Sequence, residues 1–169
     1  MLLFFRVVLI VLKNLFRRRM QMHGESVLHF RVWPTDMDLN FHLNDGRYVS
    51  LTGLGRLDLM ARTGLLRPAV KRGWYPVVGG AVIRYRREIR WFEKFDLHSR
   101  IAAWDDKWFY FEHRFEKERA LAALAYVRGV MRTREGAVPS ADVLALVGWT
   151  EPSPPLPDAV ERWRQANIP

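Results

Sequence analysis

From residue 77 to residue 133 the chain reads as strand after strand, and one long helical segment stands directly before that run. Residues 77–91, 95–104, 108–116 and 120–133 are dense in Val, Ile, Tyr, Phe and Trp, the residues that fit a pleated, half-buried surface. The breaks Asp105-Asp106-Lys107 and Lys117-Glu118-Arg119 are short. Turns that short join antiparallel neighbours, so the spacing predicts a four-stranded antiparallel meander. Residues 26–33 alternate Leu28, Phe30 and Val32 against Val27, His29 and Arg31, which predicts one further strand, ended by Pro34. Between the two regions a helix is expected from a cap at Asn44 or Asp45 to about Thr63, with Gly64 in its C-terminal turn. Tyr48, Leu51, Leu54, Leu57 and Leu59 form its apolar side, and Asp58 falls where solvent is expected. Gly53 and Gly55 weaken that helix by about 1 kcal/mol each relative to Ala, and close packing of its backbone on a sheet is their expected use.

The class is therefore α+β. An open sheet with a helix on one face leaves its other face and its edges uncovered, and a two-fold dimer is the simplest remedy. After the last strand, Ser140 is expected to cap a helix over 141–147. Pro152, Pro154, Pro155 and Pro157 make a stiff linker, and Asp158 with Glu161 resembles a capping box for a final helix through Ala166. The reading divides the chain into 1–22, 23–149 and 150–169.

The strand-to-helix junction carries the chemistry. Residues 34–48 hold three carboxylates (Asp36, Asp38, Asp45), two asparagines (Asn40, Asn44) and His42 between an apolar strand and an apolar helix. A carboxylate facing backbone N–H groups at a helix start can attack an acyl carbonyl while those N–H groups hold the oxyanion. Asp38 is the candidate for that role, against the plainer reading of a carboxylate capping its own turn. Asp36 reads as structural, satisfying loop N–H groups. Asn44 and Asp45 are caps first, His42 is balanced between loop and site, and Tyr48 reads as core.

The first twenty residues form a separate problem. The apolar run 7–12 is too short to span a bilayer, Arg6 interrupts the longer stretch, and the basic Arg17-Arg18-Arg19 cluster follows it, the reverse of a signal peptide. On a helical wheel Arg6, Lys13 and Arg17 share one side, which suits an interfacial helix with snorkelling cations on anionic lipid. The competing reading docks this helix on its own domain or on a second subunit. The net charge of +9, from 27 Lys and Arg against 18 Asp and Glu, favours anionic partners. No nucleic-acid motif accompanies it, so no nucleic acid is expected. Arg84, Arg86 and Arg90 are placed on one strand face, either solvated or turned to the phosphates of coenzyme A.

The element order, with Asp36-Met37-Asp38-Leu39-Asn40-Phe41-His42-Leu43-Asn44-Asp45-Gly46-Arg47-Tyr48 at the junction, resembles the hot-dog-fold thioesterases. It is most similar to the 4-hydroxybenzoyl-CoA thioesterase type and the acyl-ACP thioesterases, over residues 26–135. The resemblance implies an antiparallel sheet wrapped around a long central helix, here with an N-terminal amphipathic helix and C-terminal helices added. It implies hydrolysis of an acyl-CoA or acyl-ACP thioester by a homodimer or tetramer. Asp38 matches the catalytic carboxylate, as nucleophile or as general base on water. Asn40 and His42 match the residues that position it, and the N–H groups near Asn44, Asp45 and Gly46 match the oxyanion site. Tyr48, Gly79, Gly80 and Arg84 are the expected substrate contacts, with the acyl chain near the glycine pair of a partner subunit. Many relatives carry a second acid one turn after the Tyr; here Thr52 and Gly53 stand there. That departure motivates an alternative, a non-catalytic acyl- or lipid-binding protein at the membrane surface.

Other chemistries lack their residues. There is no cysteine, so thiolate nucleophiles, thiolate metal sites and disulfides are excluded. The histidines at 23, 29, 42, 98 and 113 show no ligand spacing, and there is no Gly-x-Ser-x-Gly or phosphate loop. The helix holds no histidine, which argues against a hot-dog dehydratase. No metal and no cofactor is expected. The expected location is cytoplasmic, with residues 1–20 offering a peripheral place at the inner membrane face.

Overall fold

The computed structural model describes residues 2–14 and 16–166. Five strands make one sheet: β1 (Ser26–Arg31), β2 (Tyr75–Tyr85), β3 (Lys94–Trp104), β4 (Phe109–Lys117) and β5 (Ala120–Arg132). Every pairing is antiparallel and the spatial order is β1-β3-β4-β5-β2. The expected four-stranded meander is thus three strands, β3-β4-β5. The strand run expected to reach Trp91 ends at Tyr85, where the N–H groups of Arg86 and Arg87 both donate to the Ala122 carbonyl. Residues 86–93 then leave the ladder and cross to the opposite edge, where Val32 bonds to the segment through both its backbone groups (Val32 N to Glu93 O 3.0 Å, Phe92 N to Val32 O 3.1 Å). β2 is consequently the outer strand beside β5, and an outer strand tolerates Pro76. The β4–β5 turn is tight because Glu118 and Arg119 both adopt positive φ (51° and 63°), the geometry that matches strand twist.

The central helix α2 (Asp45–Arg62) lies across one face of this sheet. Tyr48, Leu51, Leu54 and Leu59 are buried, with Phe95, Leu97 and Phe115 from the strands opposite. Gly55 shows why glycine stands mid-helix: a Cβ there would run into the Ser99 hydroxyl and crowd His113. Gly53 has no such neighbour, its nearest being an Arg56 nitrogen at 3.7 Å from where a Cβ would stand. Gly64, at φ 82°, ends the helix as expected. A short α3 (Leu66–Lys71), unmarked by any sequence pattern, returns the chain towards β2 and buries Ala69.

Two caps differ from expectation. In α4 (Ser140–Ala145) the cap position is Pro139, and the Ser140 hydroxyl instead donates to the Asp105 carbonyl. In α5 (Asp158–Gln165) the cap is Pro157, and no side chain caps the helix. In both, a proline with fixed φ sets the entry, so the following polar residue is already inside the first turn. α5 covers part of the sheet's second face, where Val160 joins Ala103, Tyr110 and Tyr126.

The N-terminal helix α1 (Leu2–Asn14) docks on its own domain. Of the three cations the wheel placed on one side, Lys13 is exposed, but Arg6 and Arg17 turn to buried acids instead of snorkelling. Arg6 is only 9% exposed, and its guanidinium donates to both oxygens of Asp36 (3.1 and 2.7 Å) and to the Arg31 carbonyl (3.3 Å), above the Phe30 ring. One turn past the helix, Arg17 meets Asp58 at 3.2 and 3.3 Å, and Asn14 Nδ2 donates to the same carboxylate at 2.7 Å. Asp58, expected towards solvent, is 1% exposed and also accepts from the Ser26 hydroxyl at 2.5 Å. The helix therefore faces inward with Arg6, Asn14 and Ile10, and outward with Phe4, Phe5 and Leu12; Phe16, just beyond its end, is 91% exposed. Among the described residues no helix is long and apolar enough to cross a membrane.

Removing one partner of a buried ion pair strands the other charge. Arg6→Met is expected to lower unfolding free energy by about 3–5 kcal/mol in a urea titration, and adding Asp36→Asn is expected to recover most of that loss. An unchanged midpoint for Arg6→Met would show that the pair contributes nothing.

Candidate active site

Asp36 organises the junction. It lies in a 3-10 turn, Pro34–Asp36, is 2% exposed, and accepts from the Trp33 N–H (3.2 Å) as well as from Arg6. Its own carbonyl accepts from the Asn44 N–H at 2.9 Å, which fixes the residue that caps α2. Arg47 Nη2 donates to the Thr35 carbonyl at 2.8 Å, joining the first turn of α2 to the same loop. Between these anchors Met37 and Leu43 form a bridge, so residues 38–42 are a closed loop presented beside the helix start.

Asp38 opens that loop and is half-buried. Its Oδ1 accepts from the N–H groups of Asn40 (2.9 Å) and His42 (3.2 Å), and its N–H donates to the His42 carbonyl (3.0 Å). Two backbone N–H groups orient the carboxylate. Both of them fall on one oxygen. Phe41 takes φ 61° to let the chain turn, and its ring is exposed. Asn40 contributes its N–H; the His42 side chain turns to Glu88, Nε2 to Oε2 at 3.0 Å, while its backbone bridges Arg90. Glu88 was not marked by the sequence, because only the crossover of residues 86–93 brings it here.

At the helix start, Asn44 Oδ1 accepts from the Gly46 N–H at 3.0 Å, and Asp45 Oδ1 accepts from the same N–H at 2.8 Å. The cap is made as expected, and the Gly46 N–H is shared between two oxygens. Tyr48 is buried, with its ring edge-on to Phe115 (4.8 Å) and Tyr85 (5.1 Å). Burial, and then the neighbouring Tyr85, push its hydroxyl well above the ordinary tyrosine range, so it stays neutral. The Tyr85 hydroxyl donates to the Asp45 carbonyl at 3.4 Å, which brings the end of β2 against the helix start.

Gly79 and Gly80 sit at a bulge in β2. A Cβ on Gly79 would collide with the Trp108 ring, and one on Gly80 would lie 3.0 Å from Trp163. Arg128 fills the space between those rings, 5.1 and 5.4 Å from their centroids, and its Nε donates to the Gly79 carbonyl at 3.2 Å. Arg84 is exposed on β2, in register with Leu124. The grouping of Arg84 with Arg86 and Arg90 on one strand face does not hold. The strand ends before Arg86, and Arg90 is paired with Glu88.

Two features of the helix–sheet contact escaped the sequence. Beneath Gly55, His113 is fully buried with Nδ1 2.8 Å from the Ser99 hydroxyl, and burial followed by the nearby Arg56 charge holds its imidazole well below the ordinary histidine range. Farther along α2 an apolar cavity of about 180 Å3 opens against β2 and β5. The mid-helix glycine was the one available signal for the first; nothing local marks the second. Among the described residues no cluster of His, Asp and Glu is placed to hold a metal.

The profile of the thioesterase-like superfamily matches residues 32–163. A THEM6 protein of Xenopus laevis is 34% identical over 141 residues, 80% of this chain and 65% of that protein. One from Danio rerio is 36% identical over 115 residues, 68% of this chain and 55% of that protein. This chain thus spans between about half and two thirds of the length of those relatives. A probable thioesterase of Saccharomyces cerevisiae is 27% identical over 119 residues, 68% of this chain and 51% of that protein. Among solved structures, the probable thioesterase YbaW of Escherichia coli superposes with TM-score 0.66 at 18% identity, over 72% of this chain and 94% of that one. The BH1999 gentisyl-coenzyme A thioesterase superposes with TM-score 0.62 at 18% identity, over 72% and 98%. At that identity the likeness speaks for the fold: a five-stranded antiparallel sheet around a central helix, the hot-dog arrangement.

Proposed function

The chain belongs to the thioesterase-like superfamily, and on that premise we propose that it hydrolyses an acyl thioester carried by coenzyme A or by an acyl carrier protein, with Asp38 as the acting carboxylate. The observation that carries this reading is the Asp38 carboxylate. It is half-buried and oriented through Oδ1 by two loop amides, in the loop that closes directly onto the capped start of α2. Its second oxygen takes a proton from water, the water oxygen bonds to the thioester carbon, and the carbon–sulfur bond then breaks as Asp38 returns that proton to the leaving sulfur, releasing the carboxylic acid and the thiol. Direct attack by Asp38 would give a mixed anhydride that water then cleaves. The positive end of the α2 dipole and its first N–H groups stabilise the oxyanion formed in either route. The Gly46 N–H already serves Asn44 and Asp45, so an oxyanion there competes with the Asp45 carboxylate. That competition favours the second reading, acyl binding without turnover.

The site is completed by a second copy of the chain. β2 is an eleven-residue outer strand whose Tyr75, Val78, Val82 and Tyr85 are all at least 40% exposed. A long apolar edge of this kind pairs with another strand unless covered. Antiparallel β2–β2 pairing about a two-fold axis would bring the Val77 end of one strand near the Tyr85 end of the other, and so near the partner's helix start. In the same reading, the outward Phe4, Phe5, Leu12 and Phe16, with Arg18 and Arg19 nearby, rest on an anionic membrane face on the cytoplasmic side. Arg84 is offered to the phosphates of coenzyme A.

Asp38→Asn is expected to lower kcat on a panel of acyl-CoAs by about 10²-fold or more with the fold intact; equal rates for variant and wild type would end the assignment. Val82→Lys is expected to halve the particle mass measured by light scattering. A mass unchanged from wild type would remove β2 as the interface. Changing Phe4, Phe5 and Phe16 together to Ser, all exposed, is expected to abolish co-sedimentation with phosphatidylserine vesicles while leaving the melting temperature unchanged. Undiminished co-sedimentation would discard the membrane contact.

A further inference from the structure

The cavity beside the C-terminal half of α2 is walled by Leu57, Met60, Phe109, Val130 and Met131, and on one side by Val77 and Val78 of the outer strand. At about 180 Å3 it exceeds the roughly 150 Å3 that suffices for a benzene ring, so it accepts an arene or a medium alkyl chain. Two side chains in its wall are polar. Thr63 is occupied, its hydroxyl donating to the Leu59 carbonyl at 2.8 Å. The other is Arg56.

Among the described residues, Arg56 is the only charged group in that wall. Its Nη1 donates to the Thr52 hydroxyl at 2.9 Å, and among the described residues no carboxylate lies within ion-pair distance of it. A guanidinium carries five N–H donors in a planar fork that matches a carboxylate. The next polar group inward, His113, is held neutral and supplies no counter-charge. Arg56 is half-buried, and that burial lowers its pKa to about 10, which leaves it charged at neutral pH. This contrasts with Arg6, Arg17 and Arg114, each of which has an acid partner. A partly buried cation without an anion works against folding, and groups of that kind mark sites that a ligand completes.

Resting on the acyl-thioester reading, we propose that Arg56 determines specificity, selecting acyl groups that bear a carboxylate at the end remote from the thioester. The methylene or aromatic body fills the cavity from the β2 side and the distal carboxylate takes the free donors of Arg56. An acyl group ending in a methyl leaves those donors unpaired, and a site built for a polar group discriminates against the analogue that lacks it.

The test compares suberoyl-CoA with octanoyl-CoA, equal in carbon count, on wild type and on Arg56→Met. Wild type is expected to favour suberoyl-CoA in kcat/KM by about tenfold or more, and Arg56→Met to reverse the order. Hydrolysis of octanoyl-CoA as fast as suberoyl-CoA by wild type overturns the selectivity and leaves the thioesterase reading standing. If neither is hydrolysed, that reading falls and Arg56 is judged by calorimetric binding of monomethyl suberate against methyl octanoate. A preference for the former that Arg56→Met abolishes upholds the site, and equal binding overturns it. A purely structural Arg56 would make Arg56→Met less stable with selectivity unchanged, whereas the proposal expects a melting temperature equal to or above wild type.

Discussion

The carboxylate of Asp36 is the point on which the molecule turns. It is nearly inaccessible to solvent, accepts from Arg6 and from the Trp33 N–H, and its residue's carbonyl receives the Asn44 N–H. One residue thus joins the N-terminal helix, the end of the first strand and the start of the central helix. A buried charge of this kind is tolerated only when it is paired and hydrogen-bonded. The loop that presents Asp38 inherits its shape from that requirement, because both ends of the loop are tied to atoms of Asp36 or its neighbours.

The same logic explains how α1 is oriented. An amphipathic helix ordinarily buries its apolar stripe and leaves its cations in water. Here two buried acids, Asp36 and Asp58, draw Arg6, Asn14 and Arg17 inward, and Ile10 fills the space between. Leu3 and Val7 pack beside it against the core, while Phe4, Phe5, Leu12 and, past the helix, Phe16 face outward. An outward apolar surface on a helix held by ion pairs can bind elsewhere without the helix leaving its seat.

Beneath the central helix a polar strip runs through an apolar layer: Thr52 and Arg56 on the helix, His113 and Ser99 on the strands. Gly55 lets the backbone come down onto Ser99 and His113, so the strip is close-packed at its middle. It opens at one end into the cavity, where Arg56 lacks an acid. Tight contact at the glycine and open space farther along belong to one helix.

Local chemistry was enough to determine that five strands form and roughly where, though not that the one opening at Tyr75 stops at Tyr85; it also determined the long helix with its Asn44 cap and Gly64 stop, and the grouping of Asp36, Asp38, Asn40, His42 and Asn44 at one junction. Periodicity, turn residues and caps act over a few positions, so they are legible in a single sequence. Asp36 was legible as structural, since a loop carboxylate seeks nearby N–H groups; its partner Arg6, thirty positions away, was not. The strand order, the pairing of Glu88 with His42, the burial of Asp58 and the unpaired Arg56 were decided by the tertiary structure alone. Each depends on which distant segments meet once residues 86–93 cross the sheet and α1 docks. A contact between distant segments leaves no periodic trace in either of them.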